Sequence, residues 1–193
     1  MINAVLDDAK TLTEFYTSIR AQQESAHGDD YCNMHDAIVK YWNEGQCTEY
    51  MELGTHQGGS AACAMQLEGV KQIQLVDIDM SRYRKYLSPI AAKHCAKNGI
   101  NLILREADSR ALSSIGRCDM LVIDSVHNPN FMKQELDMHA HNVRKYIIAH
   151  DTWTLMGRVN PILHETLKEF ASKNRWKVVH HEQKGPGYTV LSK

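Results

Sequence analysis

The sequence predicts an α/β protein in which a mostly parallel seven-stranded sheet lies between two layers of helices, as a three-layer α/β/α sandwich. Helix-like and strand-like segments alternate from about residue 46 onward. The strand-like segments are apolar runs with polar residues at their C-terminal ends, which is typical of parallel strands buried on both faces. Near the C-terminus, two strand-like segments flank the turn "KGPG", which predicts an antiparallel hairpin.

The N-terminal part of the chain is predicted to form a helical cap. Apolar residues recur at helical spacing from Leu12 to Ile19, and the segment "AHGDD" then interrupts the pattern. A second helix is expected over "YCNMHDAIVKYWNEG", ending at Gly45. The chain therefore divides into a cap, residues 1–45, and a ligand-binding domain, residues 46–193.

From residue 46 the elements follow the order of strands joined by crossover helices. The predicted strands are "TEYMEL", "KQIQLVDID", "INLILREADS", "CDMLVIDSVH", "KYIIAHDTW", "WKVVHHEQ" and "YTVLSK". The predicted helices are "GGSAACAMQLEG", "SPIAAKHCAKNG", "NPNFMKQELDMHAHN" and "NPILHETLKEF". In the second of these helices we expect Ser88 to be the N-cap, Pro89 the first residue and Gly99 the terminator.

The composition argues against several classes of partner. With 22 Lys and Arg against 23 Asp and Glu, the formal net charge of -1 gives no broad attraction to nucleic acid or to an anionic membrane. Apolar runs fall short of the ~20 residues of a membrane span, and the N-terminus lacks a signal-peptide pattern. The five cysteines include no CxxC pair, which predicts reduced, mostly buried thiols. We expect a cytoplasmic protein without nucleic-acid or membrane partners, and the sequence leaves a homo-oligomer open.

A glycine-rich segment, "ELGTHQGGS", follows the first predicted strand and contains Glu52, Gly54, Gly58, Gly59 and Ser60. Glycines allow positive φ and close backbone approach, and the start of the next helix presents free N–H groups to a polar ligand. The spacing differs from G-x-G-x-x-G, and it lacks the Lys of a P-loop. By itself, the segment fits either a ligand cradle or a tight turn with small residues for helix packing.

Polar residues also follow the next two strands. Asp77 ends the second strand about 20 residues beyond the glycines, where a carboxylate can bind both hydroxyls of a ribose. Asp79 fits a helix cap or a solvent-exposed group. Asp108 and Ser109 follow the third strand, where they would contact an adenine ring or form a simple turn. Together with the glycines, Asp77 favours a nucleoside-containing ligand.

The order and spacing of five segments resemble the successive motifs of class I S-adenosylmethionine-dependent methyltransferases: "YMELGTHQGGSA", "IQLVDID", "READSRAL", "CDMLVIDSVHN" and "YIIAHDTW". Within that superfamily, "ELGTHQGGSA", "IDSVH" and "HDT" are most similar to small-molecule O-methyltransferases, the branch with macrolide- and sugar-modifying methyltransferases and cephalosporin-hydroxylase-like proteins. The resemblance covers about residues 46–193 and implies a Rossmann-like fold.

The resemblance also implies roles for individual residues. Gly54 and Gly58 would face the methionine part of S-adenosylmethionine, Asp77 its ribose, and Asp108 with Ser109 its adenine. The remaining residues expected to bind the cofactor are Glu52, Ser60 and Asp124. The implied activity is methylation of a hydroxyl on a small-molecule acceptor.

Asp124 and Asp151 end the fourth and fifth strands, so adjacent strands would bring both carboxylates to one rim of the sheet. Two carboxylates suit a hard divalent cation such as Mg²⁺ or Ca²⁺. In the resembled branch these strand ends hold a divalent metal, with an acid before the second of them. Here that position is His150, and an imidazole would suit Mn, Fe or Zn better than Mg²⁺. The structural alternative is a loop cap at Asp124 and a hydrogen bond from Thr152 or a backbone N–H to Asp151.

His127 matches a histidine of that branch that has been assigned as a general base. An imidazole with an ordinary pKa near ~6.5 can take a proton from a hydroxyl at neutral pH. We therefore predict that His127 and Asp124 are catalytic residues. The alternative is that His127 only forms a hydrogen bond within a turn.

The acceptor pocket is the least determined part of the prediction. The candidates for its lining are Tyr31, His35, Trp153 and Met156, although ordinary packing explains these residues equally well. Two other functions stay open: a nicotinamide-dependent oxidoreductase on a Rossmann-type sheet, and a module that binds S-adenosylmethionine without catalysis.

The helix after the fourth strand contains two groups with structural assignments. Met132, Leu136 and Ala140 recur at helical spacing, and we assign them to the core. His139 and His141 are expected at the surface, because neither flanks an acidic residue that would complete a metal site.

Overall fold

The structure, a computed structural model, describes residues 6, 8–112, 115–155 and 157–193. Its helices are α1 (Leu12–His27), α2 (Asn33–Gly45), α3 (Gly59–Ala64), α4 (Ser81–Tyr86), α5 (Ser88–Asn98), α6 (Pro129–His139) and α7 (Ile162–Lys173). Its strands are β1 (Glu49–Leu53), β2 (Gln72–Asp77), β3 (Asn101–Glu106), β4 (Cys118–Ile123), β5 (Val143–His150), β6 (Thr154–Leu155), β7 (Arg158–Val159), β8 (Lys177–Glu182) and β9 (Tyr188–Ser192).

Seven strands form one sheet in the order β3-β2-β1-β4-β5-β9-β8. The five strands from β3 to β5 are parallel, and β9 runs antiparallel between β5 and β8. This confirms the mostly parallel seven-stranded sheet and its C-terminal hairpin. Two further short strands, β6 and β7, pair separately and were not predicted.

The strand register brings the predicted site segments to one edge of the sheet. Leu53, the last residue of β1, lies opposite Val76 of β2 and Ile123 of β4. The residues that follow these strands therefore leave the sheet side by side. This edge is formed by the carboxyl ends of the parallel strands, where ligands bind in open α/β sheets.

Successive residues of β4 belong to two different apolar cores, one on each face of the sheet. Met120 and Val122 pack with residues of α1 to α5, whereas Leu121 and Ile123 pack with residues of α6 and α7. This alternation follows from the period of two along a strand. It confirms the three layers.

The two N-terminal helices share the first of these cores. Phe15 of α1 and Trp42 of α2 are buried with Tyr50 of β1 and Ala61 of α3. Thr11 and Glu14 form a capping box at the start of α1. The part of the predicted cap that the structure describes is therefore helical, while residues 1–5 and 7 lie outside the described residues.

The prediction that all central strands are buried on both faces is wrong for β3. Each residue of β3 is partly or largely exposed, and Leu104 keeps 41% of its surface. β3 pairs only with β2 and forms the edge of the sheet, where flanking helices cover less of a strand. In contrast, every residue of β4, near the centre of the sheet, is buried.

The predicted cap of α5 is also wrong. The helix includes Ser88, and the preceding residue Leu87 already has helical dihedral angles and gives no side-chain cap. The cause is α4, a short helix that was not predicted and that leads directly into α5. The helix after the glycines is shorter than predicted and ends at Ala64. Gly99 ends α5 with a positive φ, as predicted.

All five cysteines are free and buried, as expected. Within the described ranges, no helix combines the length and the apolar character that a membrane crossing requires. The stripe of Met132, Leu136 and Ala140 is buried in the core beside α7, also as predicted.

Candidate active site

A cavity of about 580 Å³ opens at the carboxyl ends of the parallel strands. Its lining includes seven residues that the sequence assigns to a site: Gly54, Asp77, Asp108, Ser109, Asp124, His127 and Asp151. A second, polar cavity of about 60 Å³ adjoins it and shares Tyr31, Gly54 and Asp124. Five strands and the loops that follow them thus line one cavity.

Gly54 and Gly58 have positive φ values of 92° and 91°, but they are required for different reasons. A Cβ on Gly54 would lie 2.1 Å from the carbonyl oxygen of Asp124, because the backbones after β1 and β4 meet there. A Cβ on Gly58 would lie 2.5 Å from Leu87 Cδ2. Gly54 therefore shapes the cavity wall, whereas Gly58 allows helix packing.

Glu52 and Ser60 do not line the large cavity. Glu52 is completely buried, and its Oε2 accepts a hydrogen bond of 2.6 Å from the Tyr50 hydroxyl. Burial raises the pKa of Glu52 to about 7. Ser60 is 7% exposed and lines the smaller cavity. In this arrangement Glu52 does not reach the surface that a ligand would contact.

Asp77 lines the cavity, and two backbone N–H groups hold its carboxylate. Oδ2 accepts a hydrogen bond from His56 N at 2.7 Å, and Oδ1 accepts one from Asp79 N at 3.0 Å. Asp79 is exposed and accepts a hydrogen bond from Ser81 N, but the N-cap of α4 is Met80, which gives no side-chain cap. His56 has a φ of 49°, unusual for a residue other than glycine, and no pattern in the sequence indicated its role.

Asp108 and Ser109 also line the cavity, but other side chains engage both. Asp108 caps a turn of 3₁₀ helix and pairs with Arg110 at 2.7 Å. The Ser109 hydroxyl donates a hydrogen bond of 2.6 Å to Glu135 Oε1. The turn interpretation and the cavity position therefore both hold for these residues.

Apolar side chains that the sequence analysis missed complete this part of the wall. Ile78 and Val126 keep 74% and 49% of their surface, which is high for large apolar residues. The Arg110 guanidinium lies 4.1 Å from the centre of the Phe131 ring. Phe131 does not belong to the buried stripe of α6. This was the one feature of the sequence that indicated a ring available to line a site.

Two carboxylates and two imidazoles form what we call the acid rim: Asp124, His127, His150 and Asp151. His127 Nε2 lies 2.7 Å from Asp151 Oδ2 and 3.6 Å from Asp124 Oδ1. His150 Nδ1 lies 3.2 Å and 3.4 Å from the same two carboxylate oxygens, Asp124 Oδ1 and Asp151 Oδ2. The pairing of β4 with β5 brings the two acids together, as predicted.

The imidazoles control the charge of the acid rim. Burial by itself would raise the pKa of each carboxyl, but His150 and His127 hold the pKa of Asp124 and of Asp151 below the usual range. In return, Asp124 and Asp151 raise the pKa of His127 to about 9. Burial opposes ionisation of His150, yet the same two acids raise its pKa well above the usual value.

The acid rim has donors that suit a divalent metal ion. One ligand atom each from Asp124, His127 and Asp151 all lie within 4.8 Å of one another. Carboxylate oxygens with one imidazole nitrogen suit a cation such as Mn²⁺. Asp151 has a φ of 53°, and an outlier of this kind persists where the surrounding fold imposes it, often at functional sites.

The structure places both histidines beside the two acids. His150, predicted as a metal ligand, lies near the same two carboxylate oxygens as His127. The exposed His127 forms with Asp124 and Asp151 a group that could hold a metal ion. His150 is only 5% exposed, with the Tyr31 ring edge-on at 5.6 Å. A raised pKa also disfavours the base role of His127 in this arrangement, because a protonated imidazole cannot accept a proton.

The residues predicted to line the acceptor pocket lie in different places in the structure. Tyr31 lines both cavities and His35 lines the smaller one. Trp153 instead lies beside the hairpin turn. Its backbone N–H donates to Pro186 O, and its ring contacts His181. Met156 lies outside the described residues.

One structural assignment on α6 was wrong. His139, expected at the surface, is completely buried, and its Nε2 lies 2.8 Å from the backbone carbonyl oxygen of Ser109. It falls at helical spacing after Met132, Glu135 and Leu136, which are buried on the same face. His141 is exposed, as expected.

Comparison with known proteins gives structural matches alone, since no family model and no curated protein matches the chain. An S-adenosylmethionine-dependent methyltransferase from Clostridium acetobutylicum ATCC 824 is similar with a TM-score of 0.64 and 10% identity, over 92% of this chain and 98% of that one. An O-methyltransferase from Bacillus cereus in complex with SAH has a TM-score of 0.58 and 16% identity, over 100% and 95%. A ribosomal protein L11 methylase from Lactobacillus delbrueckii subsp. bulgaricus has a TM-score of 0.57 and 15% identity, over 86% and 78%.

The fold is that of S-adenosylmethionine-dependent methyltransferases. The structural match confirms the predicted Rossmann-like sheet with its antiparallel C-terminal hairpin. Methyltransferases that share it differ in acceptor, because the matches include a ribosomal protein methylase beside an O-methyltransferase. The fold therefore does not choose the acceptor, which depends on the site.

Proposed function

We propose that this protein is a methyltransferase that uses S-adenosylmethionine to methylate a hydroxyl of a small molecule, assisted by a divalent metal ion. The observation that carries the proposal is the large cavity, whose lining combines Asp77 and the apolar wall with three members of the acid rim, Asp124, His127 and Asp151. The first group suits a nucleoside and the second suits a metal-activated hydroxyl. Both lie at the carboxyl edge of the methyltransferase fold.

The cofactor would lie along the strand ends. Asp77 would bind the ribose hydroxyls through carboxylate lone pairs that its two backbone donors leave unused. Ile78 and Phe131 would enclose the adenine, with Asp108 and Ser109 at its edge. When bound, S-adenosylmethionine supplies an electrophilic methyl group.

The methionine part would extend past Gly54 toward the smaller cavity. This cavity contains Ser60 and His35, so it offers polar groups for the charged end of an amino acid. Gly54 lets the chain pass close to the Asp124 backbone, which leaves room for the ligand. Glu52 would not contact the cofactor directly and would act only through neighbouring residues.

Asp124, His127 and Asp151 would hold the divalent ion, of which Mg²⁺, Mn²⁺ and Ca²⁺ are the candidates; the imidazole favours Mn²⁺. A bound divalent ion supplies Lewis acidity that lowers the pKa of an adjacent hydroxyl. His150 would keep both carboxylates oriented from beneath.

The catalytic contribution of the chain is mainly positioning, since a hydroxyl held in line with the methyl group reacts without a search for orientation. We assign Asp124 and His127 as catalytic residues, with His127 Nε2 first as a metal donor. Both roles require a neutral His127, whereas its contacts with the two acids favour the protonated form, so a bound metal ion would have to displace that proton. Tyr31, which lines both cavities, would face the acceptor.

A small-molecule acceptor fits the volume of the site, a cavity of about 580 Å³. The α1–α2 connection supplies Tyr31 above the strand ends, so the cavity is covered on that side. The formal net charge of -1 also gives no general attraction to nucleic acid. A homo-oligomer is compatible with this arrangement.

Calorimetric titration with S-adenosylmethionine and S-adenosylhomocysteine tests the cofactor assignment. We expect both to bind, and Asp77→Ala to weaken binding at least tenfold by removing the ribose contact, as a hydrogen bond to a charged group is worth about 1.5 to 3 kcal/mol. Asp79→Ala is the matched control, because it removes a nearby exposed carboxylate that does not line the cavity and accepts from Ser81 N instead. Absence of binding by the unaltered protein would refute the proposal.

Two further arms of the experiment separate the alternatives. Tight binding of NAD in the same calorimeter, without binding of S-adenosylhomocysteine, would support a nicotinamide-dependent oxidoreductase. Transfer of labelled methyl groups to a panel of hydroxylated small molecules, with Mn²⁺ present, tests catalysis. Cofactor binding without transfer to any member of a wide panel would favour a non-catalytic binding module.

A further inference from the structure

Glu135 is a buried acid that the proposed chemistry does not use. It lies on α6, is completely buried, and stands behind the wall of the large cavity. Its Oε1 accepts a hydrogen bond of 2.6 Å from the Ser109 hydroxyl, and its Oε2 accepts one of 2.7 Å from the Ser125 hydroxyl. Burying a carboxylate costs free energy unless its oxygens accept hydrogen bonds, and here each carboxylate oxygen accepts one.

The two serines come from different loops and meet at this carboxylate. Ser109 follows β3 and Ser125 follows β4, and both line the cavity. We call the group of Ser109, Ser125 and Glu135 the serine end. Glu135 therefore ties together two walls of the part of the cavity that would hold the adenine.

The direction of these hydrogen bonds determines what the serines can offer a ligand. A hydroxyl has one proton and two lone pairs, and an ionised carboxylate only accepts. Because both protons point to Glu135, each serine oxygen keeps only lone pairs for the cavity. The serine end is thus an acceptor surface.

A second group on α6 fixes Ser109 from its main chain. His139 Nε2 lies 2.8 Å from the Ser109 carbonyl oxygen, and since a carbonyl only accepts, this nitrogen is the donor. His139 lies one helical turn after Glu135 on the same buried face. Helix α6 thus holds both the side chain and the backbone of Ser109.

We propose that Glu135 sets the base specificity of the cofactor site: by taking both hydroxyl protons, it makes the serine end select a purine that presents an amino group rather than a carbonyl group. This inference rests on the proposed function, because it places the adenine beside Ser109. Glu135 acts through the two serines and is a positioning residue.

The ionisation of Glu135 is consistent with this role in mildly alkaline solution. Burial raises its pKa to about 7, while the hydrogen bonds from Ser109 and Ser125 limit the rise. Of the nearby charged groups, Asp108 raises this pKa and Arg110 lowers it. Measurements at pH 8.5 therefore examine the ionised carboxylate.

The test compares S-adenosylhomocysteine with S-inosylhomocysteine, in which a carbonyl replaces the amino group of the base. Calorimetry at pH 8.5 should show that the unaltered protein prefers the adenosine compound by about tenfold or more, the factor that one hydrogen bond of about 1.4 kcal/mol provides. In Glu135→Gln the amide N–H₂ donates to one serine and releases its proton toward the cavity. The preference should fall to roughly threefold or less.

The matched control is Asp137→Asn, which removes one carboxylate from an exposed position on the same helix and should keep the full preference. Ser109→Ala is the second variant if Glu135→Gln does not fold, because it keeps the acid and removes an acceptor. It too should lower the preference. Thermal melting shows which variants are folded.

The outcomes separate this inference from the proposed function. Failure of the unaltered protein to bind either compound contradicts the proposed function. Binding without a preference, or the full preference retained in the folded Glu135→Gln and Ser109→Ala variants, overturns only the role of Glu135. A loss of preference in these variants with Asp137→Asn unchanged supports it.

Discussion

The acid rim and the serine end lie beside the same cavity, and the carboxylates of both are partly or wholly removed from solvent, yet their surroundings move the pKa values in opposite directions. At the acid rim, burial raises the pKa of Asp151, but hydrogen bonds from His127 and His150 outweigh it, and the pKa falls below the usual range. At the serine end, neutral hydroxyls surround Glu135, so burial dominates and its pKa rises to about 7.

The difference shows that burial alone does not define the charge of a site. A carboxylate keeps its charge at low pH where cationic partners accompany it, and loses it readily where only hydroxyls do. The acid rim therefore concentrates charge, which suits the metal ion proposed there. The serine end instead directs hydrogen bonds, which suits recognition of an uncharged base.

The largest effect is expected where the acid rim meets the glycine turn. Gly54→Ala should lower the free energy of unfolding by more than about 3 kcal/mol, since the added Cβ would meet the Asp124 carbonyl and the residue is held at positive φ. Urea denaturation measures the loss. Gly69→Ala is the matched control, because its φ is also positive but a Cβ there meets no described atom within 4 Å. It should cost only about 1 to 2 kcal/mol, and equal losses would argue against the close approach.

Asp151→Asn should alter the acid rim and leave the serine end unchanged. We expect the affinity for Mn²⁺ to fall about 100-fold, because the site loses a charged donor. The affinity for S-adenosylhomocysteine should change less than about twofold, since the serine end is untouched. Calorimetry with each ligand provides both values, with Asp137→Asn as the control. A similar loss for both ligands would mean that the ends are not independent.

The stability of the protein should depend on pH through Glu135. Its folded pKa of about 7 exceeds the ordinary 4.5, so its stabilising contribution is complete below pH 4.5 and is lost as the pH rises through about 7. Relative to Glu135→Gln, the unaltered protein should lose about 2 to 3 kcal/mol of unfolding free energy between pH 5 and pH 8. Urea denaturation at several pH values measures this difference. A constant difference across that range would show that the pKa is not raised.

The smallest effect is expected at the outer wall of the base pocket. Arg110→Ala removes the guanidinium from the Phe131 ring and from Asp108, and should weaken S-adenosylhomocysteine binding roughly threefold. Arg110→Lys should restore only part of this affinity, because an ammonium lacks the planar face. Calorimetry distinguishes the three proteins. An unchanged affinity in Arg110→Ala would remove this wall from the binding site.

Much of the fold was predictable because its signals are local. The apolar strands, the final hairpin, the stop at Gly99 and the core stripe of α6 each depend on residues close together in the chain. The sequence also indicated that Asp124 and Asp151 would meet, since both follow strands that are adjacent in such sheets. The edge position of β3 was missed, because strand order is not written in any single segment.

The site was predicted only in part, for the same reason. His127 was recognised as a chemical group, but its place between two acids depends on β4 and β5 pairing. Glu135 lies at helical spacing between Met132 and His139, so its burial was readable, yet nothing local indicated that two serines from distant loops would donate to it.

By itself, the sequence determined the elements, their order and the strand ends that carry polar residues, because propensity and periodicity act over a few residues. Only the tertiary structure decided which donors converge and which protons point where. Those features depend on contacts such as Ser109 with Glu135, 26 residues apart in the chain, and His127 with Asp151. Such contacts exist only once the sheet has set the register of its loops.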